Sequence, residues 1–255
     1  MFIAHLSDIH FSVNENRAEK NISEIIDNLN NLERKPDIVL ITGDLVHDEK
    51  TEWYDTAFKY LEDLNMPFLI VPGNHDNPKD LMKYVGNNFP EHPKSELKDN
   101  MQYICDDYKV RIIALDSYEE DCHSGYLCEN RLKWLDEKLS NNPDDKPVLI
   151  MMHHFPDYSS MPSFDQLDKK WFENFQNVIK KNNKNGNIKL ILSGHLHNCY
   201  NTDIEGIRVN SAPSVNVEVM FSMDNKEIYP DFDKKTGYLL HLYNGDKFTT
   251  ISQYL

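Results

Sequence analysis

Short apolar runs recur along the first three quarters of the chain: FIAHLS (2–7), DIVLIT (37–42), PFLIVP (67–72), VRIIALD (110–116), PVLIMMH (147–153) and IKLILS (188–193). Each has the length and β-branched content of a strand. Because apolarity is continuous rather than alternating, both faces of these strands are expected to be covered. Helical periodicity fills several of the gaps. Ile22, Ile25, Ile26, Leu29 and Leu32 trace one face of a helix over roughly 17–34. Trp53, Ala57, Tyr60, Leu61 and Leu64 trace a second, Leu132, Leu135 and Leu139 a third, and Trp171, Phe172, Phe175 and Ile179 a fourth. The tail differs: GIRVNSA, GYLLHLY and KFTTISQ read as strands, with turns at 203–206 and at Asn244-Gly245. Strand–helix alternation ending in a β-rich segment predicts a layered α/β domain. No internal repeat, low-complexity tract or Gly/Ser linker interrupts the 255 residues. One domain spanning 1–255 is expected, with a core at 1–212 and a β-rich segment at 213–255.

The polar residues that follow the strands carry the chemistry. Asp8 and His10 follow the first, Gly43-Asp44 the second, Gly73-Asn74-His75-Asp76 the third, His153-His154 the fifth and Gly194-His195-Leu196-His197 the sixth. The carboxyl edge of an open α/β sheet is where ligands bind. Each piece alone is ordinary turn chemistry, but five behind five strands are hard to read as coincidence. Asp8, His10, Asp44, Asn74, His195, His197 and one histidine of the 153/154 pair make seven oxygen and nitrogen donors without a thiolate. That is too many for one tetrahedral zinc and suits two divalent ions sharing a carboxylate, of the manganese, iron or zinc kind.

Charge and cysteine usage narrow the partners. A formal net charge of −15 argues against a surface that grips long nucleic acid, which is held mainly by Lys and Arg. Two divalent ions against two aspartates would nonetheless keep the site itself positive enough to draw in a phosphate. The N-terminus lacks the basic region of a signal peptide, and no run approaches a membrane span. Cys105, Cys122, Cys128 and Cys199 form no CxxC pair, so free thiols and a cytoplasmic location are expected.

In order and spacing, DxH, GD, GNHD, H and GHxH over 8–197 resemble the calcineurin-like metallophosphoesterase superfamily. The resemblance implies an αββα sandwich, four layers made of two mixed sheets flanked by helices. It implies that Asp8, His10, Asp44 and His197 hold one metal, and that Asp44, Asn74, His153 and His195 hold the other. A hydroxide bridging the two metals would attack the phosphorus. His75 would protonate the leaving alkoxide, and Asp76 is expected to orient its imidazole. Between the paired histidines the resemblance favours His153 as ligand, leaving His154 to line the pocket or to contact a ligand from behind.

Ser/Thr protein phosphatases of this superfamily follow GD with an arginine that clamps a monoester dianion, and GDLVHDEK has none. A diester monoanion needs fewer such clamps. HLSDIHF, VPGNHD, LDS (115–117), SGYLCENRLKWLDEKL (124–139), MHHFP and NSAPSVNVEV are similar to the class III cyclic nucleotide phosphodiesterases. A small phosphodiester such as 3′,5′-cyclic AMP is the substrate this implies. Alternatives are a phosphomonoesterase or nucleotidase, another small-molecule or lipid diesterase, and a non-catalytic binding scaffold. Two departures stand near the pocket: His47 replaces the usual aspartate of GDLTD, and Phe155 breaks HHPP. His47 is thus a candidate for the pocket rim. His5, His92, His123 and His241 lack motif partners and read as structural or surface residues. Tyr158 and Met161 are weak candidates for capping a substrate.

Overall fold

The structure is a computed structural model and describes residues 1–12, 16–48, 51–165 and 170–255. The first sheet contains β1 (Phe2–Leu6), β2 (Ile38–Ile41), β3 (Phe68–Ile70), β12 (Gly237–Tyr243) and β13 (Phe248–Tyr254) in the order β13-β12-β1-β2-β3. β1, β2 and β3 run parallel, and the tail strands add to β1 in antiparallel fashion. The second sheet contains β4 (Tyr103–Cys105), β5 (Arg111–Ala114), β6 (Val148–Met151), β7 (Ile188–Ser193), β8 (Tyr200–Ile204) and β9 (Ile207–Ser211). Its order is β4-β5-β6-β7-β9-β8, parallel through the middle and antiparallel at both edges. β10 (Glu218–Val219) and β11 (Pro230–Asp231) form a separate ribbon.

The strands of the second sheet show why their sequences are apolar throughout. Ile112, Ala114, Leu149, Met151, Leu190 and Leu192 face one core, shared with the first sheet and its helices. Ile113, Val148, Ile150 and Ile191, one position along, face a second core. Successive side chains of a strand point to opposite faces, so a strand between two cores must be apolar at every position. α1 (Asn16–Asn31), α2 (Thr51–Leu61) and α3 (Pro78–Asn88) belong to the first core, and α4 (Glu129–Ser140) and α5 (Lys170–Asn182) to the second. Helix, sheet, sheet, helix is the four-layer αββα sandwich expected. On α1 the stripe of Ile22, Ile25, Ile26 and Leu29 is buried, each side chain contributing about 1.5–3 kcal/mol.

Each of the four expected helices is present. α3 was not expected, because its buried stripe is only Leu81 and Val85 beside Pro78. Local chemistry starts it instead: Asn77 Oδ1 accepts from the amides of Lys79 and Asp80, and Pro78 needs no partner for its nitrogen. β4, β8, β10 and β11 were also unanticipated. They are edge or ribbon strands of two to five residues, whose sequences carry little continuous apolarity.

Candidate metal centre and active site

The parallel strands of both sheets end at one edge of the sandwich, and the polar residues beyond them converge there. Beyond β1 come Asp8 and His10, beyond β2 Asp44, beyond β3 Asn74 and His75, beyond β6 His153, and beyond β7 His195 and His197. The chain does not simply extend into the site. Asp8, His10, Asp44, His195 and His197 all have positive φ, between 51° and 70°. Asp and His tolerate this left-handed region better than most residues, yet each instance costs on the order of 1 kcal/mol or more. The kinks carry the side chains of each D-x-H or H-x-H pair into the site while Ile9 and Leu196 between them stay in the core.

Two glycines make room for the ligands. Gly43 has φ +90°, open to glycine alone without strain. Gly73 has an ordinary backbone angle, and space is its reason: a Cβ there would lie 2.1 Å from Asp44 Oδ1 and 2.4 Å from its amide nitrogen.

Asp44 Oδ2 lies between two groups of imidazoles, 3.5 Å from His10 Nε2 and 3.3 Å from His153 Nε2. On one side, His10 Nε2 and His197 Nε2 approach to 3.0 Å, and Asp8 Oδ1 is 3.5 Å from His197 Nε2. Donor atoms of Asp8, His10, Asp44 and His197 all fall within 4.8 Å of one another. On the other side, Asn74 Oδ1 is 3.0 Å from His153 Nε2, and the His195 ring packs against that of His153 at 5.1 Å. His153 Nδ1 donates to the carbonyl of Thr42 at 2.7 Å, and His197 Nδ1 to that of Val217 at 2.7 Å. Those bonds turn Nε2 of each ring toward the site, which is how metal-ligating histidines are commonly oriented.

Electrostatics agree with a cation site. Among the described residues, the ion-pair partners of the buried Asp8 and Asp44 are histidines and no lysine or arginine. Burial raises the pKa of Asp8. Burial pushes Asp44 the same way, but His153 and His10 beside it hold its carboxyl well below the usual range. His10 and His195 are kept neutral chiefly by burial, the form in which imidazole binds metal. Burial also disfavours charge on His153, yet the adjacent Asp44 carboxylate outweighs it and raises its pKa to about 9. The two carboxylates thus demand positive charge. A proton on His153 supplies part of it, and divalent cations on the same oxygens and nitrogens would supply more. The donor set therefore fits metal.

His75 stands at the lip of this site. Its amide donates to Asp44 Oδ1 at 2.9 Å, and its Nδ1 donates to the backbone carbonyl of His47 at 2.8 Å. The His47 ring stacks on that of His75, with centroids 4.7 Å apart and planes 16° apart. The expectation that Asp76 orients His75 is corrected here. The fully buried Asp76 carboxylate accepts from the amides of Leu45, Val46 and Gly73 and from Tyr54 Oη. It ties the GD loop to the GNHD loop, and the carbonyl of residue 47 does the orienting. Of the two places expected for His154, the structure has it behind the open cavity rather than lining it. Its Nδ1 bonds Ser117 Oγ at 2.8 Å beneath Gly125, its ring lies 4.9 and 4.7 Å from those of His153 and His195, and Nε2 is buried without a hydrogen-bond partner among the described residues. Of the two capping candidates, Met161 is buried in the second core and Tyr158 is exposed.

A cavity of about 470 Å³ opens over the site. Its lining joins the polar His10, His47, Asn74, His75, His195 and His197 with the apolar Phe164, Val217, Val219, Ile228 and Phe232. Among the lining residues not foreseen from the sequence are His123 and Arg17. His123 reaches in from the 119–125 loop, its Nδ1 3.5 Å from Asn74 Nδ2, and no local motif marks it. Arg17 comes from the start of α1, donating to the carbonyls of Asn216 and Phe232 at 2.9 and 3.3 Å, with its guanidinium 5.5 Å above the Phe232 ring.

Buried carboxylates and imidazoles gathered at the strand ends of an αββα sandwich make a site fit for divalent cations. The family model described as calcineurin-like phosphoesterase matches residues 1–199, and the chain belongs to that family of metal-dependent phosphoester hydrolases. A glycerophosphodiester phosphodiesterase of Enterobacter lignolyticus is 28% identical, over 98% of this chain and 90% of its own. A probable cyclic nucleotide phosphodiesterase of Synechococcus is 30% identical, over 78% of this chain and 74% of its own. A 3′,5′-cyclic-nucleotide phosphodiesterase of Nostoc is 29% identical, over 83% and 77%. Among solved structures, a purple acid phosphatase of yellow lupin superposes with a TM-score of 0.73 at 13% identity, covering all of this chain and 51% of that one. The fold is thus shared well beyond sequence likeness.

Proposed function

We propose that this chain is a dinuclear metal-dependent phosphodiesterase acting on a small diester, with 3′,5′-cyclic nucleotides as first candidates. The observation that carries the reading is the position of Asp44 Oδ2 between the His10 and His153 imidazoles, each within 3.5 Å. It supports assigning Asp8, His10, Asp44 and His197 to one ion, and Asp44, Asn74, His153 and His195 to another. Ions held there would supply positive charge for the phosphoryl oxygens and a water activated at neutral pH. The chain's own residues do the rest. His75, with Nδ1 committed to the His47 carbonyl, presents Nε2 for delivering a proton to the leaving alkoxide. Asp44 Oδ1 accepts from the amide of that same residue, so a hydrogen bond joins the acid's backbone to the bridging ligand.

A diester suits the pocket better than a monoester dianion. Arg17 is the one lysine or arginine lining the cavity among the described residues, and backbone carbonyls and the Phe232 ring engage its guanidinium. The names of the relatives above point to diesters as well. We further propose a single domain over 1–255, since both sheets and the 213–255 segment contribute to one cavity. A cytoplasmic setting is supported by four free cysteines. No helix among the described residues is long and apolar enough to cross a membrane.

The deciding experiment compares bis(p-nitrophenyl) phosphate with p-nitrophenyl phosphate on the manganese-loaded enzyme, wild type and Asn74→Ala. Faster diester turnover that falls about 100-fold or more in the variant is expected. Preference for the monoester, or undiminished turnover in the variant, refutes the assignment.

A further inference from the structure

Resting on the phosphodiesterase reading, we propose that the 216–232 segment is the specificity wall of the site, and that Phe232 binds a flat aromatic group carried by the alcohol esterified in the substrate. The cavity lining is of two chemical kinds. The histidines and Asn74 offer donors and acceptors suited to a phosphate, whereas Val217, Val219, Ile228 and Phe232 offer none. A diester whose phosphorus meets the histidines brings its organic part within reach of these apolar side chains. At about 470 Å³ the cavity is of the size that encloses a whole small ligand rather than a phosphate alone.

The chemistry of that organic part follows from Phe232. Its side chain is 60% exposed, and Ile228 beside it is 52% exposed. Large apolar side chains left open next to a catalytic centre gain from being covered by an apolar ligand. The ring is not adrift: Arg17 bonds the Phe232 carbonyl and lays its guanidinium over the ring, while its Nε holds Asn216 at the other end of the segment. Arg17 thus ties the wall to α1 and keeps an aromatic face in place. A nucleobase or an aryl group gains by stacking on such a face, whereas glycerol, small and rich in hydroxyls, gains nothing there. The ribbon β10–β11 brings the ends of the segment together, with Val219 opposite Pro230 two residues before Phe232.

The test measures kcat and KM of wild type, Phe232→Ala and Phe232→Tyr with 3′,5′-cyclic AMP, bis(p-nitrophenyl) phosphate and glycerophosphoethanolamine. Phe232→Ala is expected to raise KM about tenfold for at least one aromatic diester, with kcat within about twofold, and to leave glycerophosphoethanolamine unaffected. Which aromatic diester responds tells nucleobase from aryl group, and Phe232→Tyr should behave as wild type. A readout independent of turnover is saturation-transfer NMR of AMP with metal-free protein, where base-proton saturation should drop in Phe232→Ala. Equal KM changes on all three substrates, or none, would overturn the wall while leaving the phosphodiesterase intact. Wild-type protein that hydrolyses none of the three would instead overturn the phosphodiesterase reading.

Discussion

In the polar part of the cavity lining the functional groups stand beyond the ends of parallel strands, buried or half-buried for the most part, several in left-handed conformations. In the apolar part the lining residues of the 216–232 segment come from a stretch whose only regular structure is a ribbon of two two-residue strands, and Ile228 and Phe232 among them lie largely exposed. Strained, buried geometry can hold donor atoms to a fraction of an ångström, which chemistry demands and a sheet edge provides. A surface segment can change its side chains without disturbing that geometry. The first part sets what reaction is performed, and the second on what it is performed.

The comparison breaks most sharply at Asp44. If its carboxylate is shared by both halves of the metal centre, Asp44→Ala should lower kcat/KM by about 10³-fold or more. Bound manganese, measured by elemental analysis, should fall by at least half. Loss of activity with full metal content would place the role of Asp44 elsewhere.

Next in size is a change that touches no ligand. In Gly73→Ala the new methyl would lie 2.1 Å from Asp44 Oδ1, so the carboxylate must move. A displacement of about 1 Å in such a site costs on the order of 100-fold in rate. Phe232→Ala, in the apolar part, should cost KM alone. Should Gly73→Ala turn over normally, the polar part is less rigid than its packing indicates.

The two parts also differ in how far the sequence discloses them. Asp8, His10, Asp44, Asn74, His153, His195 and His197 were legible because each follows an apolar run, and the run announces both a strand and its end. The four layers came from the resemblance those motifs carry, and the strand runs agree because two cores demand apolar residues at every position. Arg17, His123 and Phe232 were not legible as a group. They lie on α1, on a loop and beyond a short ribbon, 215 residues apart at the extremes, and only the folded chain makes them neighbours. The role of Asp76 was misjudged for a related reason. Adjacency to His75 suggested a pair, but turn geometry sends its carboxylate backward, to the Gly73 amide of its own loop and the Leu45 and Val46 amides of another.

That correction makes a stability prediction. With Leu45, Val46 and Gly73 amides and Tyr54 Oη all donating to Asp76, Asp76→Ala leaves buried donors unpaired. A loss of roughly 2–4 kcal/mol is expected in urea unfolding at pH 7. Asp76→Asn should lose less, since it retains one acceptor oxygen. A variant of full stability but low activity would return Asp76 to the side of the chemistry.

The smallest effect concerns two histidines remote from the cavity. Burial lowers the pKa of His241 to about 3, and that of His92 to about 4. His241 meets Thr250 Oγ1 at 2.9 Å and His5 Nδ1 at 3.4 Å, and His92 meets Tyr103 Oη at 3.2 Å and the Pro93 carbonyl at 2.9 Å. Because each folded pKa lies below the unfolded value near 6.5, the unfolded chain binds more protons between the two. The stability each contributes is complete above about pH 6.5 and drains away as pH falls toward 3 or 4. Each adds a slope of about 1.4 kcal/mol per pH unit across that window. His241→Gln, followed by urea unfolding from pH 7 to pH 4.5, should therefore show a shallower loss of stability on acidification than wild type. The manganese-dependent pH–rate profile of the folded enzyme should stay as it was, because His241 lines no part of the cavity. A variant whose acid limb is as steep as wild type would mean that His241 takes up its proton without unfolding.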